Sequence, residues 1–190
     1  KSPIPPNVVA VPGDGKVTLY WDSVAELSED LFMSMNYGVS YKYDFEGYKI
    51  YRSTDWQFSD SYIVTDGDGS PTFHKPYILD GNSCQWDINN EINGWHPVDV
   101  NGVQFYLGDN TGLQHSFVDT DVINGQTYYY AVVSYDSGGP EDSGIMPSDS
   151  PMRLRVNSLS GEMELGPNVV SVTPIQPSAG FLSSDIKGGD

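Results

Sequence analysis

Two short acidic turns hold the residue types in this chain whose chemistry is easiest to name. Asp66-Gly-Asp-Gly69 sets two carboxylates among glycines that let backbone carbonyls turn inward, and Asp119-Thr-Asp121 offers a second pair. Hard cations take several oxygens from turns that can wrap them, so Asp66, Asp68, Asp119 and Asp121 are candidate ligands for calcium. Asp109-Asn110, and Asp136 with Glu141-Asp142, are poorer groupings. None is an EF-hand: the twelfth position counted from Asp66 is Tyr77, where a bidentate Glu is required. The same residues also close Asx turns in a solvated loop without any ion, and both readings stand.

Signatures of catalysis are weaker. His74, His96 and His115 show no His-x-x-x-His or Glu-x-x-His spacing that would hold a transition metal. His115, Ser116 and Asp119 include the residue types of a nucleophilic triad, but nearness in sequence fixes no geometry. There is no Gly-x-Ser-x-Gly elbow, P-loop or dinucleotide fingerprint. A glycosidase needs two carboxylates across a cleft, and 26 acidic residues allow too many pairs to choose from. Cys84 is alone, so no disulfide forms within the chain, and it reads as a partly buried thiol. The expectation is a protein that is not an enzyme.

Aromatic residues supply a different candidate. Trp56, Trp86 and Trp95, with Tyr37, Tyr41, Tyr43 and Tyr77, fall in loops or inserts. Exposed, they would stack on sugar rings; buried, they would form a satellite core, which inserts of this length need to stay ordered. Glycans are therefore a candidate partner. Nucleic acid is not: Lys+Arg 9 against Asp+Glu 26 gives a formal charge of -17, which repels a phosphate backbone. Solubility in a saline medium, scattered calcium sites and docking to a basic partner each account for that acidity.

The elements that must position these residues read as strands. A hydrophobic fraction of 38% supports a real core, while Gly 20 and Pro 13 fit short strands joined by turns. No run approaches the roughly 18 apolar residues a membrane helix needs, so no membrane insertion is expected. The chain starts at Lys1 without an initiator Met or a signal-peptide pattern, and reads as a piece of a longer protein. Strands are expected at Asn7–Val11, Lys16–Trp21, Phe45–Arg52, Ser61–Thr65 and Ser116–Thr120. A hairpin is expected at 98–107, turning on Asn101-Gly102, because Asn-Gly accepts the positive φ angles that two-residue turns require. The spacing Ser23-Val-Ala-Glu26 predicts a capped short helix over 24–33. In Tyr128–Tyr135, Tyr128, Tyr130 and Val132 fall on one face and Tyr129, Ala131 and Val133 on the other, the period of two of a pleated strand. Pro151–Val156 is expected to close the series, with Met152, Leu154 and Val156 inward.

The order Pro5-Pro6-Asn-Val-Val, Val17-Thr-Leu-Tyr-Trp21, Gly47-Tyr-Lys-Ile-Tyr-Arg52, Gly125-Gln-Thr-Tyr128 and Met152–Val156 resembles a bacterial fibronectin type III domain. The resemblance implies an immunoglobulin-like β-sandwich over residues 1–157, with Trp21 in the core and Tyr128 as its tyrosine corner. Two inserts, about 23–44 and 66–114, interrupt it. The resemblance also implies an extracellular or cell-surface setting and a non-catalytic structural or adhesive role within a larger protein, whose other domains or neighbouring subunits are its partners. Residues 158–190 then read as a linker, the start of a next domain, or an assembly strand. The alternatives are a carbohydrate-binding module, or a filament or surface-layer subunit that adds its β-prone segment 166–181 to another chain.

Overall fold

The computed structural model describes residues 1–176. Fifteen strands and one short α-helix follow in order: β1 Val8–Gly13, β2 Lys16–Trp21, α1 Leu31–Tyr37, β3 Phe45–Ser53, β4 Ile63–Thr65, β5 Pro71–His74, β6 Ile78–Leu79, β7 Asn82–Ser83, β8 Gln85–Asp87, β9 Gly94–Val100, β10 Val103–Gly108, β11 Ser116–Asp119, β12 Tyr128–Asp136, β13 Leu154–Val156, β14 Met163–Leu165 and β15 Val169–Val172. Two antiparallel sheets dominate, a three-stranded one in the order β1-β2-β11 and a four-stranded one in the order β15-β12-β3-β8. The fold is an all-β sandwich.

Alternation along the strands explains how the sheets meet. Val17, Leu19 and Trp21 of β2 face Tyr48 and Ile50 of β3 and Tyr128, Tyr130 and Val132 of β12 in one shared core. Trp21 packs edge-on against Tyr48, with ring centroids 5.9 Å apart. Cys84 is buried beside this core, and desolvation pushes its thiol up to about 12, so it stays protonated and inert. Tyr128 ends the core at a corner, where its hydroxyl accepts the Ile123 N–H at 3.0 Å. On the sandwich flank β1 lies beside β15, and the Val8 N–H donates to Pro167 O at 2.8 Å where the two strands begin.

The opposite face of the four-stranded sheet is buried as well. Tyr51, Ala131, Val133 and Val169 pack with Phe58, Met152, Leu154 and Leu165. Further along, Tyr135 packs with Phe105 and Leu107, against which Phe73 and Met146 rest. These covering residues come from segments beyond the two sheets: the β4–β5, β9–β10 and β13–β14 ribbons and the loops beside them. Together these segments, of which the expected insert 66–114 is only one part, form a third layer, and β3 and β12 become doubly buried central strands.

Two expected elements lie elsewhere. The helix starts later than the sequence predicts: Val24–Leu27 is a single 3-10 turn without a side-chain cap, whereas Asp30 caps α1 by accepting the Met33 N–H at 3.0 Å. Met152–Val156 does not close the sandwich. Ser148 and Ser150 pair with the second half of β12, the Ser150 N–H donating to Ser134 O at 2.7 Å, and the backbone pairing of this segment with β12 ends there. The chain leaves as the β13–β14 ribbon and returns at Asn168. That buried side chain donates to Val132 O at 3.2 Å and Pro151 O at 3.1 Å, splicing the broken edge. Val169–Val172 then pairs with Tyr128–Ala131, so the sandwich runs past residue 157. The expected assembly strand is in this part a strand of the chain's own sheet; residues 177–181 of that expectation lie outside the described residues.

Candidate ligand cleft

The third layer does not seal the sheet completely. Between the β4–β5 ribbon and the β9–β10 ribbon it leaves a cleft of about 600 Å³, floored by Lys49 of β3 and Gln85 of β8. Its walls carry Tyr62, Phe73, Trp95 and Tyr106. A second cavity of about 520 Å³ adjoins it across a shared wall of Tyr62, Lys75, Pro76 and Ile78. The β9–β10 wall depends on Asn101 and Gly102, whose φ angles of 50° and 83° form the tight turn. The same turn ties the two walls together, because Asn101 Nδ2 donates to Asp66 Oδ2 at 3.1 Å.

Lys49 is the least expected residue of the floor. Strand alternation places it on the outer face beside Tyr51, where a plain two-layer sandwich would meet water. Here its ammonium lies 3.6 Å from the centre of the Phe105 ring and 4.6 Å from that of Tyr135. It pairs with Asp149 Oδ1 at 3.1 Å, while Tyr51 Oη donates to Asp149 Oδ2 at 2.7 Å. Burial draws the amine below its ordinary pKa, against the pull of Asp149. His74 stands beside Tyr51, with its Nδ1 3.0 Å from Ser61 Oγ, and burial holds its imidazole below the ordinary value, favouring the neutral form. Gln85 Nε2 donates to Tyr106 O and to Tyr135 Oη, both at 3.0 Å. The floor is therefore a fixed polar network under aromatic walls.

The rim is open. Trp95 is 62% exposed and rests on Tyr106, with ring centroids 4.8 Å apart, and Tyr62 on the other bank is 76% exposed. No Asp or Glu among the described residues lines the cleft, although the chain carries 26 of them. Lys75 lies at the rim 5.8 Å from the Tyr62 ring centre and makes no ion pair among the described residues.

The four carboxylates singled out from the sequence fall in two separate places. Asp66 closes the β4–β5 loop, its Oδ1 accepting the N–H groups of Asp68 at 3.0 Å and Ser70 at 2.8 Å. Its hydrogen bond from Asn101, with those backbone bonds, holds its carboxyl below the usual carboxylate range. Asp68 is exposed in the same loop. Asp119 and Asp121 are brought together, with an arginine as the cation between them: Arg52 donates to Asp119 Oδ2 at 2.9 Å and lies 3.3 Å from Asp121 Oδ2. Tyr130 Oη adds a bond to Asp119 at 2.7 Å, and the guanidinium sits 4.0 Å above the Tyr77 ring. Among the described residues no three His, Cys, Asp or Glu side chains converge as a metal cluster. His115, Ser116 and Asp119 do not converge either: His115 Nε2 lies 2.6 Å from Glu26 Oε1, while Asp119 points into the Arg52 cluster.

Of the aromatic residues the sequence offers as sugar platforms, Trp95 alone lines the cleft. Trp86 packs on Trp21 and Phe117. Trp56 is half-buried and Tyr77 belongs to the Arg52 cluster. Lys49, Gln85 and Tyr106 carry no local signal beyond strand alternation; their burial depends on segments far away in sequence. Comparison with protein-family models, with curated proteins and with solved structures returns no match.

Proposed function

We propose that this chain is a non-catalytic, extracellular adhesive module of a larger surface protein, built on a fibronectin type III-like sandwich and using its inserts to bind a glycan. The sheet orders β1-β2-β11 and β15-β12-β3-β8, with the Tyr128 corner, support the scaffold part of this reading. The observation that carries the binding part is the cleft, with Trp95 and Tyr62 exposed on its two banks over a fixed floor. A two-layer sandwich is complete without it, whereas exposed aromatic faces over directed polar groups suit a ligand with flat apolar surfaces and a polar perimeter.

The test is retention of the purified protein on an array of surface polysaccharides, with the same glycans followed for cleavage in solution. Retention on at least one glycan, lost in Trp95→Ala and unaccompanied by product, is the expected result. No retention on any glycan, or release of product, overturns the reading.

A further inference from the structure

Resting on that glycan-binding reading, we infer that the cleft recognises an acidic oligosaccharide in which a single uronic acid carboxylate sits among neutral rings, with Lys75 as its counter-ion and Trp95 as a stacking platform. Charge distribution carries the argument. With a formal charge of -17 the molecule repels anions in general, yet no carboxylate among the described residues lines this cleft. Of its two lysines, Lys49 is already matched by Asp149, whereas Lys75 at the shared wall makes no ion pair among the described residues. Beside Lys75, His74 is held toward the neutral form and offers hydrogen bonding without added charge. One cation of the cleft without an ion pair among the described residues, on a molecule of strong net negative charge, selects a ligand of one local negative charge; a densely charged chain would meet the acidic body on either side.

Shape and polarity agree. The volume of about 600 Å³ falls within the roughly 300–1,000 Å³ of small-molecule sites, whereas the adjoining cavity beyond Lys75 is lined by Asp60 and by an Arg52 already paired with Asp119, which confines the carboxylate position to Lys75 itself. Thr65 and Ser83, both exposed, line the cleft with hydroxyls for ring hydroxyls to meet, and Gln85 adds its carbonyl oxygen, its amide N–H groups being engaged by Tyr106 and Tyr135.

The probe is an aldouronic oligosaccharide, one glucuronic acid on a short chain of neutral xylose, compared with the same compound after its carboxylate is reduced to the alcohol. Calorimetry and amide chemical shifts are recorded for the whole chain. The acid form is expected to bind about tenfold more tightly than the reduced form at low salt, and salt is expected to narrow that gap. Lys75→Gln should equalise the two forms, and Trp95→Ala should weaken both; each side chain is exposed, so an unchanged melting curve confirms the fold. Equal affinity for both forms, or tighter binding of a sulfated analogue, overturns the carboxylate assignment and leaves glycan binding intact. Absence of binding by either form, together with no retention on the polysaccharide array, overturns both.

Discussion

Lys49 and Asp149 form the most exposed dependency at the scale of single residues, because a buried charge is tolerated only while its partner and hydrogen bonds are in place. Asp149→Ala leaves the ammonium between two aromatic rings without a counter-ion, and denaturant melts should show a loss of about 3 kcal/mol. Lys49→Met added to that variant should recover part of it, since an apolar side chain of similar length suits the same surroundings. The Arg52 cluster follows the same logic, so carboxylates that look like cation ligands in the sequence are answered by a guanidinium. Glu46 and Asp44 give a pH prediction. Both are buried; desolvation raises Glu46 to about 8, and desolvation with the charge of Asp136 raises Asp44 to about 7. A carboxyl whose folded pKa is raised holds its proton longer in the folded state. Their contribution to stability is therefore full below the unfolded values of 3.8 and 4.5, is lost as pH rises from there through 7 and 8, and changes no further above. Thermal melts from pH 5 to pH 9 should show that decline, and Glu46→Gln should flatten it; a slope unchanged by the substitution would assign the decline to general repulsion instead.

At the scale of elements, the legible parts of the fold were those fixed by local chemistry. The Asn101-Gly102 hairpin and the alternation of Tyr128–Tyr135 follow from turn geometry and the pleat, and both are present. The closing strand was not legible in the same way. Met152–Val156 and Val169–Val172 are both short and β-prone, and it is the second that pairs with β12, the Asn168 side chain bridging Val132 and Pro151 where the first leaves. Lys49 was legible as a strand residue but not as a buried one, because Phe105 and Asp149, which bury it, are supplied by an insert and by a loop after β12. Gly47 shows how closely these elements meet: a Cβ there would fall well inside contact with Trp86 O and the Tyr135 hydroxyl. Gly47→Ala should therefore cost about 2 kcal/mol in denaturant melts and displace Tyr135 from Gln85. Asp66→Ala belongs to this scale too. It unties the two ribbons and should speed amide exchange in β4 and β5 while leaving the exchange of β12 unchanged.

On the scale of the whole molecule, the third layer separates two tasks. The sandwich core between Trp21 and Tyr130 holds the fold, and the layer outside it carries the cleft, so under the proposed glycan-binding function substitutions on the rim are expected to alter binding without altering melting. Burial on both faces of β3 and β12 gives that layer a rigid base, and a binding surface set on rigid strands loses little conformational freedom when occupied. The β1 and β15 strands, side by side and joined by Val8 and Pro167 where they begin, have a mechanical consequence. A pull between Pro6 and Thr173 draws on the start of one strand and the far end of the other, so the load slides them past each other along their length instead of peeling them apart one contact at a time. In a single-molecule stretching measurement the sandwich should resist as one unit, while the β13–β14 ribbon, looped out between Pro151 and Asn168, serves as slack released only after the β15 edge gives way.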